Sequence, residues 1–167
     1  MNEKNLVKIS LAGWVVGLIS YFLAFFTITA EAFGMKESES CTGFELLFGT
    51  GKGKDSPFNI FLWLSFLAMI AGLVLTILIM QGKDQGISTP LPMSTIAAIC
   101  GAVALVCLLA GMAPYSKEVN EMKDYFGSMV KVELGIGRIL GIVASIVGGG
   151  AMIAPRFLNK SNTTTNP

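Results

Sequence analysis

The sequence contains no histidine, and only 14% of its 167 residues are charged. The first absence removes the commonest general base and the commonest metal ligand together. The second sets the chain apart from soluble domains, where about a quarter of residues carry charge. There is no basic block, and the net charge is +1, so the electrostatic footprint of nucleic-acid binding is missing. Phosphate-binding glycine loops, nucleophile and base pairs, and clustered metal ligands are absent too, so neither an enzyme nor a cofactor is expected. Cysteine is scarce: Cys41 lies in a polar stretch, while Cys100 and Cys107 share one apolar segment. A spacing of seven puts that pair on one helix face about 10 Å apart along the axis, too far for a disulfide. They read as buried thiols behaving as small hydrophobes rather than redox or metal groups.

What is present is hydrophobic length. Apolar residues make up 53% of the chain, and no Asp, Glu, Lys or Arg occurs from Ile9 to Ala30 or from Phe58 to Met80. Crossing the hydrocarbon layer takes about 20 apolar residues. Four segments meet that length, at 9–30, 58–80, 93–112 and about 134–154. Without water the backbone must satisfy itself, so the expected form is an all-α membrane fold: a four-transmembrane-helix bundle forming one domain over 1–160. Residues 161–167 make a polar tail expected to be disordered, and its Asn162-Thr163-Thr164 triplet reads as a chance match to a glycosylation acceptor. Asp55 or Ser56 with Pro57, and Pro90 with Pro92, mark helix entries, while Pro114 and Pro155 follow the third and fourth segments.

Lys4 and Lys8 before an apolar run, with Ala30-Glu31-Ala32 after it, imitate a cleavable leader. The run of about 22 residues exceeds a leader's usual core, so a retained span is expected. Lys4, Lys8, Lys83, Arg156 and Lys160 fall in short segments on the side of both termini, and the opposite side carries its lysines in longer loops. That bias places both termini in the cytoplasm, with the chain multi-pass in the cell membrane. The partners expected are the lipid bilayer, another copy or a second membrane protein, and no nucleic acid.

Small residues recur at helical spacing. Gly137, Gly141, Ser145 and Gly149 repeat every four residues, and Gly13, Gly17, Ser20 and Ala24 offer a matching stripe in the first segment. Such faces let backbones approach closely, so these eight are the candidate helix-packing residues, whether within the chain or between copies. Arg138 is the one charged residue inside an apolar segment; it reads as a boundary anchor or a partner for Glu133 or Glu31, with contact to an anion or a lipid head group as the alternative. Uncharged Tyr21, Ser65, Thr76, Ser94, Thr95 and Ser145 are all that a transport path would have to work with.

The first outer loop, 31–56, is the larger. In it Thr42-Gly43-Phe44-Glu45 fits a capping box and Gly49 a helix stop, predicting a short apolar helix on the outer interface; Phe33 and Met35 alternate as a short strand would. In the smaller second loop Tyr115, Val119, Met122, Phe126 and Met129 recur at helical spacing, predicting either an amphipathic helix or an extension of the third or fourth helix beyond the lipid. The string TGFELLFG at 42–49, between an apolar first segment and a Ser-Pro-Phe-Asn entry to the second, resembles small uncharacterised four-helix membrane proteins of bacteria. That resemblance implies a cell-membrane protein and transfers no functional residue. The loop layout is similar to claudin-type proteins in topology alone, since this first loop has one cysteine and no tryptophan. The function expected is a non-catalytic structural, accessory or oligomerising membrane component, with a small transporter or channel subunit as the alternative.

Overall fold

The computed structural model describes residues 3–32, 35–49, 59–83, 90–111, 124 and 130–162. In chain order these form α1 (Glu3–Ser20), β1 (Ala24–Ala32), β2 (Met35–Thr42), α2 (Gly43–Phe48), α3 (Ile60–Met80), α4 (Met93–Ala110), β3 (Val130–Leu134) and α5 (Ile136–Asn162). The four long helices pack side by side, α1 against α5 and α3, and α4 against α3 and α5. Three of them, α3, α4 and the Ile136–Pro155 part of α5, are long and apolar enough to cross a membrane. At 1.5 Å per residue, the 21 residues of α3 reach about 32 Å, the thickness of a hydrocarbon layer.

The fold is mainly helical, but it is not all-α. β1 pairs antiparallel with β2 on one edge and with β3 on the other, giving the order β2-β1-β3. This corrects the expectation for the first segment. Its helix ends at Ser20, and residues 24–30, predicted as the end of a span, are strand. Hydropathy cannot separate the two, whereas Phe26 and Ile28 alternating with Thr27 and Thr29 follow the period of a strand. Ile28 is partnered by Glu39 of the next strand on one side and by Val132, more than a hundred positions away, on the other.

The capping box is present as the sequence specifies. The Thr42 hydroxyl accepts the Glu45 N–H at 3.2 Å, and a Glu45 carboxylate oxygen accepts the Thr42 N–H at 2.7 Å. Gly49 closes α2 in the left-handed region, at φ 64°, where a side chain would be strained. The predicted short strand is β2, starting at Met35; Phe33 lies outside the described residues, as do the Asp55, Ser56 and Pro57 signals and the second-loop apolar row. The cap found for α3 is Asn59, whose side-chain oxygen accepts from the N–H groups of Phe61 and Leu62 at 3.1 and 3.2 Å. Pro155 does not end the last helix, which runs through to Asn162 and takes in the first two residues of the expected tail. Proline there removes one backbone donor, a loss the remaining turns carry.

The sheet sits at one end of the helices. α1 enters it at its carboxyl end and α5 leaves it at its amino end, while Asn59 at the start of α3 donates to the Gly111 carbonyl at the end of α4 at 2.8 Å. The start of α1, the end of α3, the start of α4 and the end of α5 therefore lie at the other end. The core beneath the sheet contains Tyr21, Phe25, Leu46, Leu47, Leu62 and Leu108.

Candidate functional site: the small-residue seam and Arg138

Two faces of α5 are stripped to backbone, each for a different neighbour. Toward α1, a Cβ on Gly13 would lie 2.8 Å from the Gly148 nitrogen and 3.2 Å from the Ala144 oxygen, and a Cβ on Gly137 would lie 2.6 Å from the Ser20 oxygen. Toward α4, a Cβ on Gly101 would lie 2.7 Å from the Gly149 Cα and 3.0 Å from the Ser145 oxygen. Of the two predicted stripes, Gly137 and Gly141 meet Ser20, Gly13 meets Ala144 and Gly148 beside the α5 stripe, and Ser145 and Gly149 face α4. Gly17 contributes by fitting against Met69 and Ala144, and Gly141 by admitting the Ser20 hydroxyl and Leu108. Ser20 and Ser145 return their hydroxyls to their own helices, donating to the carbonyls of Gly17 at 2.6 Å and Gly141 at 2.8 Å. Such back-bonding hides a polar group, so both count as small residues sterically.

Ala24 departs from this pattern. It lies in β1, where its carbonyl is so close to Gly135 that a Cβ there would stand 2.0 Å from it. It packs the sheet onto α5 instead of extending the helical stripe. Gly135 also donates its N–H to the Phe25 carbonyl at 2.9 Å, so that glycine joins strand and helix.

A buried polar cluster, not foreseen from the sequence, holds the interior of the bundle. Trp14 is fully buried, lies against Gly72 and Gly148, and donates its indole N–H to the Thr76 hydroxyl at 3.0 Å. Thr76 donates onward to the Gly72 carbonyl at 2.8 Å, and Ser10 donates to the Gly148 carbonyl at 2.6 Å. Nearer the sheet, Tyr21 and Ser65 share a hydrogen bond, and Ser65 donates to the Leu62 carbonyl at 2.9 Å. The sequence signal for this cluster was the placing of Trp14 between Ser10 and Gly17, readable only once α3 is known to lie opposite.

Arg138 belongs to the sheet end and is turned inward, with 5% of its surface exposed. Its Nη2 donates to the Leu108 and Leu109 carbonyls at 2.8 and 3.2 Å, and its guanidinium lies 5.6 Å from the centre of the Phe26 ring. The last carbonyls of α4 have no helical partner and carry the negative end of the helix dipole, so a cation there is stabilised twice over. Nη1 has no hydrogen-bond partner among the described residues. Arg138 is therefore a tie between β1, α4 and α5.

A seam between α4 and α5 is left open. Between α4 and α5 a shallow groove of about 200 Å³ runs along the bundle surface, lined by Ala98, Ala102 and Leu105 on one side and Ile146, Gly150 and Ile153 on the other. A Cβ on Gly150 would meet nothing within 4 Å. The thiols are free, and no group of metal-ligating side chains occurs among the described residues. No protein-family model matches the sequence, and no curated protein matches it either.

Proposed function

We propose that this chain is a multi-pass cell-membrane protein in which α1 joins α3, α4 and α5 as a fourth span, and that it acts without catalysis, as an accessory or self-associating component of a membrane assembly. The observation carrying this reading is Gly150. Gly13, Gly101, Gly137, Gly148 and Gly149 are each occupied by a neighbour within the chain, but Gly150 stands on the open groove beside Ala98 and Ala102. In a lipid-facing helix a glycine gives up helix propensity and packing area, and it gives a second helix close approach in return. A transporter has less support: of its six candidate lining groups, Tyr21, Ser65, Thr76 and Ser145 are at most 1% exposed and engaged in internal hydrogen bonds, which leaves the half-buried Ser94 and Thr95.

The test is cysteine crosslinking in native membranes, with Cys41, Cys100 and Cys107 replaced. Gly150→Cys is expected to give a disulfide dimer or a defined crosslink to a co-purifying membrane protein. Leu67→Cys, 52% exposed on α3, is expected to give neither. Monomer alone at both positions, with nothing co-purifying, overturns the reading.

A further inference from the structure

An aromatic row crosses the bundle where its helices meet the sheet. Phe22 follows α1, Phe44 and Phe48 are one turn apart on α2, and Trp63 is in the first turn of α3. Successive ring centres are 4.5 Å apart for Phe22 and Phe44, 5.8 Å for Phe44 and Phe48, and 5.4 Å for Phe48 and Trp63. The Trp63 indole N–H donates to the Leu47 carbonyl at 2.8 Å, which fastens α2 to α3 at this level. The row is nevertheless open to the surroundings: Phe22 is 65% and Phe48 57% exposed.

The two sides of the row differ in chemistry. On the helical side, Ile19 of α1 and Leu64 and Leu67 of α3 are exposed. On the sheet side, Lys36, Glu37, Ser38, Glu39 and Ser40 of β2 are exposed. α2 itself presents no free charge to this boundary, because its one carboxylate, Glu45, is folded back onto Thr42. A continuous aromatic edge between an apolar belt and a polar cap matches the layered composition of a bilayer interface, where aromatic rings concentrate at head-group level.

We infer that Phe22, Phe44, Phe48 and Trp63 insert into the head-group layer on the sheet side of the membrane and hold the three-stranded sheet flush with its surface. The inference rests on the membrane reading above and names lipid, not protein, as the occupant of this edge. Its physical consequence is positional. α2 becomes a shelf that fixes how deep the helices sit, and the exposed face of β2 is presented at a set height above the lipid.

The chain has two tryptophans, Trp14 and Trp63, so depth can be read by fluorescence. The Trp14→Phe protein is reconstituted into phosphatidylcholine vesicles carrying a nitroxide either near the ester group or near the chain terminus. If Trp14→Phe fails to fold, the same signal is the difference between wild type and Trp63→Phe. Quenching of Trp63 by the ester-level nitroxide is expected to exceed that by the terminal one about twofold, with aqueous iodide leaving most emission intact. Dominant iodide quenching, or stronger quenching from the chain terminus, overturns the inference. So does emission reached by none of the three, which would mean that a second copy of the chain covers the edge. Failure of the protein to float with the vesicles refutes the membrane reading itself, whereas flotation with the wrong depth refutes only the shelf.

Discussion

Replacing Gly13 by alanine adds a single methyl group where α1 crosses α5. That methyl carbon would lie 2.8 Å from the Gly148 nitrogen and 3.0 Å from its Cα, about 0.6 Å inside the 3.4 Å at which ordinary contact begins. Both atoms are backbone, so no flexible side chain can yield, and the two helices must separate locally. Overpacking of this kind costs about 1–3 kcal/mol, while exchanging glycine for alanine in a helix returns up to about 1 kcal/mol. Because both contacts are backbone the upper part of that cost, about 2–3 kcal/mol, applies, and the net expectation is a loss of about 1–2 kcal/mol. Gly150→Ala is the control on the open α4–α5 groove, because its methyl meets nothing within 4 Å and only the propensity gain remains. Reversible unfolding of both variants in a detergent that keeps the protein monomeric measures the difference. Equal stability of Gly13→Ala and wild type, or equal destabilisation by the two substitutions, would refute the claim that backbone contact between α1 and α5 sets this packing.

Three further outcomes follow from single side chains. Arg138→Gln removes the charged donor from the Leu108 and Leu109 carbonyls, and a loss of about 2 kcal/mol is expected in the same unfolding assay; an unchanged midpoint would refute its role as the tie at the end of α4. Asn59→Ala loses the α3 cap and the bond to the Gly111 carbonyl, with an expected cost of about 2 kcal/mol and faster hydrogen exchange at Phe61 and Leu62. Burial first, and then the carboxylates of Glu45 and Glu39, push the Cys41 thiol above its ordinary pKa. Because the thiolate is the nucleophile, alkylation of Cys41 should be slower than that of a free thiol at neutral pH and should rise through the alkaline range. Glu39→Gln should speed it, and a rate at or above that of free cysteine in wild type would contradict the assignment.

How much was legible from sequence depended on the range of the interaction. The Thr42–Glu45 box and the Gly49 stop involve residues within one turn of each other, and both form as read. The stripes through Gly13 and Gly17 and through Gly137, Gly141 and Gly149 were visible as spacing, and the structure adds which stripe meets which. Pairing across the chain was not visible. β2 reads Met-Lys-Glu-Ser-Glu-Ser-Cys-Thr, a composition with little strand preference, and it is strand because β1 lies beside it. The same pairing turns Ala24 away from the helical stripe and ends α1 at Ser20, although the uncharged run continues for a further ten positions. Arg138 stood out as a lone charge in an apolar segment. Its partners are carbonyls 29 and 30 positions away, and no side-chain pattern announces a helix end as a ligand. The groove at Gly150 was hidden for the opposite reason, since its glycine is indistinguishable in sequence from Gly148 and Gly149, which are buried.

The most direct test of the account is which side of the membrane each end of the bundle occupies. In a protein with its three native cysteines replaced, single cysteines are placed at Lys4 in α1, at Lys36 in β2 and at Gln81 after α3, and intact cells are treated with a membrane-impermeant maleimide. Labelling of Lys36→Cys alone, with Lys4→Cys and Gln81→Cys reacting only after permeabilisation, is the predicted result. Equal labelling of Lys4→Cys and Lys36→Cys in intact cells would show that α1 does not cross, and the four-span account would fail.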